Sequence, residues 1–431
     1  MYIGYNLDMN GEMIEKLFAD TAYIRVGGTE AERRCAEYLS AQCSALFGKE
    51  KENAFLYPFD VQMGEIHTAL LTVTDKNGTR EIPCHGYMCA GSHEVEAPFF
   101  YLRAPDDKMS LASVRGKIVL FDGYLGYHLY QSLCEYGAVG FISYDGNVHF
   151  ADRDKDKREL RSYVADANGT KCGREKLPGV HINAKDAVSL IENDTVTAKI
   201  KLLQYEYTGQ SQNVILELPG TNASGEVIVL TAHYDSTPLS QGAYDNMSGA
   251  ICLLSMAEYF MSHAHSRTLR FIWCGSEERG LLGSKAYCQK ETGALGAICL
   301  CINVDMIGCT MGKFIACCTS EEALVHYIAY MGREEGFQVQ AYQDVYSSDS
   351  TPFSDRGIPS VSFARSAPRE TAMIHNAYDT AASIKTAQMN DDIAFITSFA
   401  ARMANAEYMP VLRVIPDNMR EKLDRYLCRK K

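Results

Sequence analysis

The sequence predicts an α/β fold: a mixed, mostly parallel sheet sandwiched by helices, with a smaller β-rich α+β domain inserted in it. Three observations carry this. The runs Glu226-Val-Ile-Val-Leu-Thr-Ala232, Thr268-Leu-Arg-Phe-Ile-Trp-Cys274 and Ala297-Ile-Cys-Leu-Cys-Ile-Asn-Val304 have the unbroken hydrophobicity of strands buried on both faces. Helical patterns such as Ala250–Phe260 lie between them, as parallel strands require. Between about residues 65 and 205 the pattern becomes alternating and Gly-rich, which marks a separate layer and leaves 1–64 and 206–431 as one discontinuous domain.

A chain of 431 residues with 46% apolar composition can bury a large core in two domains. Its formal net charge of −12 argues against a nucleic-acid partner, whose phosphates need a basic face. No apolar run reaches membrane-spanning length, so no membrane partner is expected. The first twelve residues lack the basic start and apolar core of a secretory leader, and the expected location is cytoplasmic. Fifteen cysteines, many inside apolar strands or helices (Cys252, Cys274, Cys299, Cys301), read as reduced thiols acting as small hydrophobes. Cys84, His85, Cys89 and His93 lack the Cys-x-x-Cys hook of a zinc knuckle.

In chain order, residues 10–47 read as two helices broken at Val26-Gly-Gly28, where Thr29 caps the second. Strand-like alternation follows at Ile66–Thr74, then Gly116–Phe121, a helix at His128–Tyr136, and Gly137–Tyr144. Leu177–Asn183, a helix at Ala184–Glu192 and a strand at Thr195–Leu203 complete the inserted region. From Gln212 strands and helices alternate to a last helix at Asp417–Leu427, followed by a basic tail read as frayed.

Chemistry gathers at the ends of the buried runs. His233 and Asp235 follow the first, Glu277 and Glu278 the second, and Asp305 the third. Asp245 opens the helix at Ala250, and His375 lies in a late loop. Ligands of open α/β sheets bind beyond the strand ends, and imidazole nitrogen with carboxylate oxygen suits zinc.

These residues, in Ala232-His-Tyr-Asp-Ser236, Asp245-Asn-Met-Ser-Gly249, Ser276-Glu-Glu278, Asn303-Val-Asp305, Ser348-Asp349 with Pro352-Phe353, and His375 with Asp379-Thr380, resemble the co-catalytic zinc aminopeptidase family. That family also includes glutamate carboxypeptidases, glutaminyl cyclases and the transferrin receptor ectodomain. The resemblance implies two Zn²⁺ ions: Asp245 bridging, His233 and Asp305 completing one site, Glu278 and His375 the other. Three carboxylates and one further anion would offset the four positive charges while both histidines stay neutral. Glu277 is then the general base, pointing away from its neighbour Glu278 if the segment is extended. Asp235 accepts the free ring N–H of His233. Ser350 replaces the family's usual histidine after the Ser-Asp pair, so Asp349 carries no ligand role, and Tyr346 is a candidate donor to the oxyanion or else a pocket-lining residue.

The inserted region resembles a protease-associated domain through Gly116-Lys-Ile-Val-Leu, Gly137-Ala-Val-Gly and Pro178-Gly-Val. The resulting expectation is an aminopeptidase acting on peptide substrates. Its alternatives are a carboxypeptidase or dipeptidase of the same family, or a non-catalytic binding or receptor module.

Overall fold

A computed structural model describes residues 11–46, 54–149, 158–161, 175–221, 225–368 and 371–430. The chain divides into two compact units, Met1–Phe59 with Gln210–Lys431, and Asp60–Gly209.

In the first unit the strands run in the order Gln340–Gln343, Lys313–Thr319, Ser360–Ser366, Ile298–Val304, Val227–His233, Thr268–Cys274 and the last part of Thr197–Leu218. The four strands from Ser360–Ser366 to Thr268–Cys274 are mutually parallel, and antiparallel strands flank them. Parallel register aligns their C-terminal ends, with Cys274 opposite His233 and Asn303 opposite Thr231. Every residue of Val227–His233 and of Ile298–Val304 is buried. Alternate side chains serve opposite faces: Ile228, Leu230 and Ala232 join one apolar cluster, Val227 and Val229 another. This double burial explains the unbroken apolar runs.

Helix Ser248–Ser262 is apolar nearly all round and almost wholly buried, as expected of a helix packed inside a domain. The Trp273 indole N–H donates to the Ala250 carbonyl at 2.9 Å, tying it to the sheet. Helices Gly11–Thr21, Glu30–Leu46 and Thr386–Asn405 supply further apolar residues to the same core.

The second unit has its own core. Glu94–Tyr101, Ile118–Asp122, Gly140–Asp145 and Gly179–Asn183 form a parallel run, with helices Tyr127–Tyr136 and Ala184–Glu192. Gly137, at φ 84°, ends the first of these helices in a left-handed conformation that suits glycine.

Two expectations change. The sequence reading breaks the strand after Leu203, but the structure carries it from Thr197 to Leu218. Residues 205–210 are exposed or half-buried, so no hydrophobic pattern betrays them, whereas Tyr205, Tyr207 and Thr208 suit a strand. Within the basic tail read as frayed, Arg429 and Lys430 pair with Asp424 at 3.0 and 3.2 Å, and Lys431 lies outside the described residues. All described cysteines are free, and no described helix is long and apolar enough to cross a membrane.

Candidate metal centre

The aligned strand ends bring five ligand candidates together. Asp245 stands between two imidazoles, its Oδ1 3.1 Å from His233 Nε2 and its Oδ2 3.0 Å from His375 Nε2. His233 Nε2 also lies 3.7 Å from Asp305 Oδ1, and His375 Nε2 lies 2.9 Å from Glu278 Oε1. Among the described residues, the groups able to hold a metal are His233–Asp245–Asp305 and Asp245–Glu278–His375, which share Asp245. His233, Asp245, Glu278 and Asp305 are buried, and His375 is half-buried.

Glu277 and Glu278 diverge for a reason other than the expected extended segment. Gly280 and Leu281 N–H groups both donate to the Glu277 carbonyl at 2.8 Å, so the pair sits on a tight turn. Glu277 Oε2 lies 4.0 Å from His233 Nε2, while Glu278 faces His375. Asp235 braces both halves of this arrangement: its Oδ1 accepts the Glu277 N–H at 2.9 Å and approaches His233 Nδ1 at 3.4 Å, and its Oδ2 accepts the Glu278 N–H at 3.2 Å.

The electrostatics are those of a crowded anionic site. Burial opposes a charged His233, but Glu277, Asp235, Asp245 and Asp305 outweigh it and hold its pKa well above the ordinary value. Burial also raises the proton affinity of Asp305 and, together with Glu278, Asp349 and Asp305, that of Glu277. Asp245 goes the other way, because its two histidine partners overcome burial. Such a set wants cations: Asp305 Oδ1 is buried with no hydrogen-bond partner, and each Asp245 oxygen faces a different imidazole. Two dications of the zinc class fit this donor set.

Asp349 is buried, accepts the Ser284 hydroxyl at 2.5 Å, and leaves Oδ2 without a partner; burial lifts its pKa to about 7. The Tyr346 phenol is held neutral by burial and by the Asp305 and Asp245 carboxylates.

Four supporting residues escaped the sequence reading. Asp379 accepts the Tyr244 N–H at 2.7 Å, the Asp245 N–H at 3.2 Å and the Ser240 hydroxyl at 3.2 Å. Asn246 accepts the Met306 N–H at 3.0 Å and donates to the Val304 carbonyl at 2.9 Å, joining the Asp245 turn to the Asp305 turn. Arg25, fully buried, donates to the carbonyls of Tyr234, Gln241 and Gly242. Glu32 binds the turn before Glu277. Asp379 and Asn246 belong to quoted motifs without a role there, whereas Arg25 and Glu32 carry no local signal for such partners. Ser276, Met306 and His375 take left-handed φ of 53°, 66° and 60°, a conformation that costs a non-glycine residue and clusters at functional sites.

Residues 213–399 match the model of peptidase family M28, the stretch that holds every ligand candidate. Aminopeptidase YwaD of Bacillus subtilis is 29% identical over 369 residues, 83% of this chain and 75% of that protein. The vacuolar membrane protease of Saccharomyces cerevisiae is 32% identical over 139 residues, 32% of this chain and only 14% of its own length. Among solved structures, BSAP, a zinc aminopeptidase from Bacillus subtilis, superposes with a TM-score of 0.76 at 22% identity, covering 95% of this chain and all of that one, a likeness of fold. The strand-end cluster thus lies wholly within the stretch, residues 213–399, that matches peptidase family M28.

Proposed function

We propose that this protein is a two-zinc aminopeptidase that releases N-terminal residues from peptides. The carrying observation is the placement of Asp245, whose two oxygens face His233 and His375 at 3.1 and 3.0 Å, which suits a bridging ligand. His233, Asp245 and Asp305 would hold one ion, and Asp245, Glu278 and His375 the other. Zinc supplies Lewis acidity and makes water acidic near neutral pH.

The chain's own residues do the rest. Glu277, on the His233 side of the cluster, takes the proton of the attacking water and returns it to the leaving amine. Asp235 orients the His233 ring and fixes the turn beneath Glu277. Tyr346, half-buried and held neutral near the Asp305 carboxylate, donates to the oxygen that gains charge at the scissile carbonyl. The excess of carboxylates favours a substrate with a free, protonated amine next to the bond cleaved.

We also read residues 60–209 as an inserted protease-associated domain, supported by the motifs at Gly116, Gly137 and Pro178, and the location as a reducing one, supported by free thiols such as Cys274 and Cys301. Replacing 60–209 by a short linker should leave zinc binding to the first unit; loss of both ions would oppose a separable insert. Cell fractionation that places the protein outside the cytoplasm would oppose the second point.

The function is tested with fluorogenic aminoacyl substrates, N-acetylated peptides and metal analysis. Two zinc ions per chain and cleavage that requires a free amine are expected, and Asp245→Ala should lose both ions. Release of C-terminal residues from acetylated peptides would favour the carboxypeptidase alternative.

A further inference from the structure

Thr29-Glu-Ala-Glu32 has the form of a capping box, in which the glutamate at the third helical position bonds back to the cap's own backbone N–H and stays near the surface. Glu32 departs from that form. It is fully buried; its Oε2 accepts the Gly28 N–H at 2.7 Å, and its Oε1 turns away from the helix. That oxygen accepts the Ser276 N–H at 2.9 Å, the Ser276 hydroxyl at 3.2 Å and the Ser211 hydroxyl at 2.8 Å. A helix cap needs none of these three.

Ser276 directly precedes the Glu277–Glu278 pair and holds a left-handed φ of 53°, a conformation that is costly for a non-glycine residue. The segment around Glu32 packs against this turn with no room to spare. A Cβ on Gly27 would stand 2.3 Å from the Ser276 hydroxyl oxygen, and a Cβ on Gly275 would stand 2.8 Å from Glu32 Oε1. Glu32 and Gly27 lie outside the stretch matched by the family model. We infer that Glu32 is a positioning residue that locks Ser276 in its left-handed conformation and thereby aims Glu277 into the site and Glu278 at His375, an inference resting on the two-zinc reading above.

The test compares Glu32→Met, which keeps the length but accepts no hydrogen bond, with Glu32→Gln, which keeps one acceptor. Zinc affinity is read by chelator competition with zinc alone, turnover with an aminoacyl amide, and backbone protection by hydrogen exchange of peptides covering 275–280 in metal-free protein. The Met variant should bind one of its two zinc ions about 10- to 100-fold more weakly, lose kcat with little change in KM, and exchange faster at 275–280 than at Ser248–Ser262. The Gln variant should lose less. Adding Ser276→Gly to the Met variant should restore about tenfold of zinc affinity and kcat, because glycine adopts positive φ freely. A lowered melting temperature with both zinc affinities, kcat and exchange within twofold of wild type would overturn the inference, as would a failure of Ser276→Gly to restore function.

Should the Met variant not fold, Gly27→Ala presses on Ser276 directly, with Glu32 intact. It should give the same selective loss, and its absence would count against the inference. If wild type cleaves no free-amine substrate, the peptidase reading falls while the zinc affinities still decide on Glu32. If wild type binds no zinc, hydrogen exchange at 275–280 decides.

Discussion

Asp235 and Glu277, 42 positions apart in sequence, meet through a hydrogen bond of 2.9 Å from the Glu277 backbone N–H to Asp235 Oδ1. The same oxygen lies 3.4 Å from His233 Nδ1. One carboxylate thus fixes the turn that carries Glu277 and stands beside the His233 ring. Asp235→Asn has one acceptor oxygen for three donors, so it should lose about 10- to 100-fold in zinc affinity or activity. Chelator competition and steady-state kinetics measure this; wild-type values in both would remove Asp235 from the site.

The proposed function makes Glu277 the base and Glu278 a ligand. Glu277→Gln should retain two zinc ions and lose turnover by about 10²- to 10⁴-fold, the worth of a general base. Glu278→Gln should weaken the ion beside His375, and excess zinc should restore part of its activity. Metal content and turnover measured on both variants check this, and zinc lost from the Glu277 variant alone would reverse the two roles.

Tyr346→Phe removes a phenol hydroxyl from beside Asp305 and leaves the ring. A drop in kcat of about 10²- to 10³-fold with unchanged zinc content is expected if it stabilises the oxyanion. An unchanged kcat would make Tyr346 a pocket wall.

In the second unit, His181 is buried against Ser143, whose hydroxyl lies 2.9 Å from its Nδ1. Burial, aided by Arg158 and His85, lowers its pKa to about 3. Between that value and the unfolded value near 6.5, the unfolded chain binds a proton that the native one refuses. Stability is therefore full above about pH 6.5 and falls as the pH drops, by about 1.4 kcal/mol for each pH unit. Urea unfolding at pH 7 and pH 5 should show this loss in wild type and a smaller one in His181→Asn; equal losses would dissociate His181 from acid lability.

The α/β class and the family were legible in the sequence, because double burial writes strands as unbroken apolar runs and because His233, Glu277–Glu278 and Asp305 each stand where such a run ends. Local pattern reports how a residue lies relative to its own strand or helix, and nothing more. Which strand ends face one another was decided by parallel register, which sets Cys274 against His233 and Asn303 against Thr231 and so gathers the cluster. Arg25, Glu32 and the role of Asp379 were beyond reach for the same reason: their partners lie more than a hundred positions away, at Tyr234, Ser276 and Asp245. A buried charge is tolerated only where partners satisfy it, and only the tertiary structure decides which distant backbone groups those partners are.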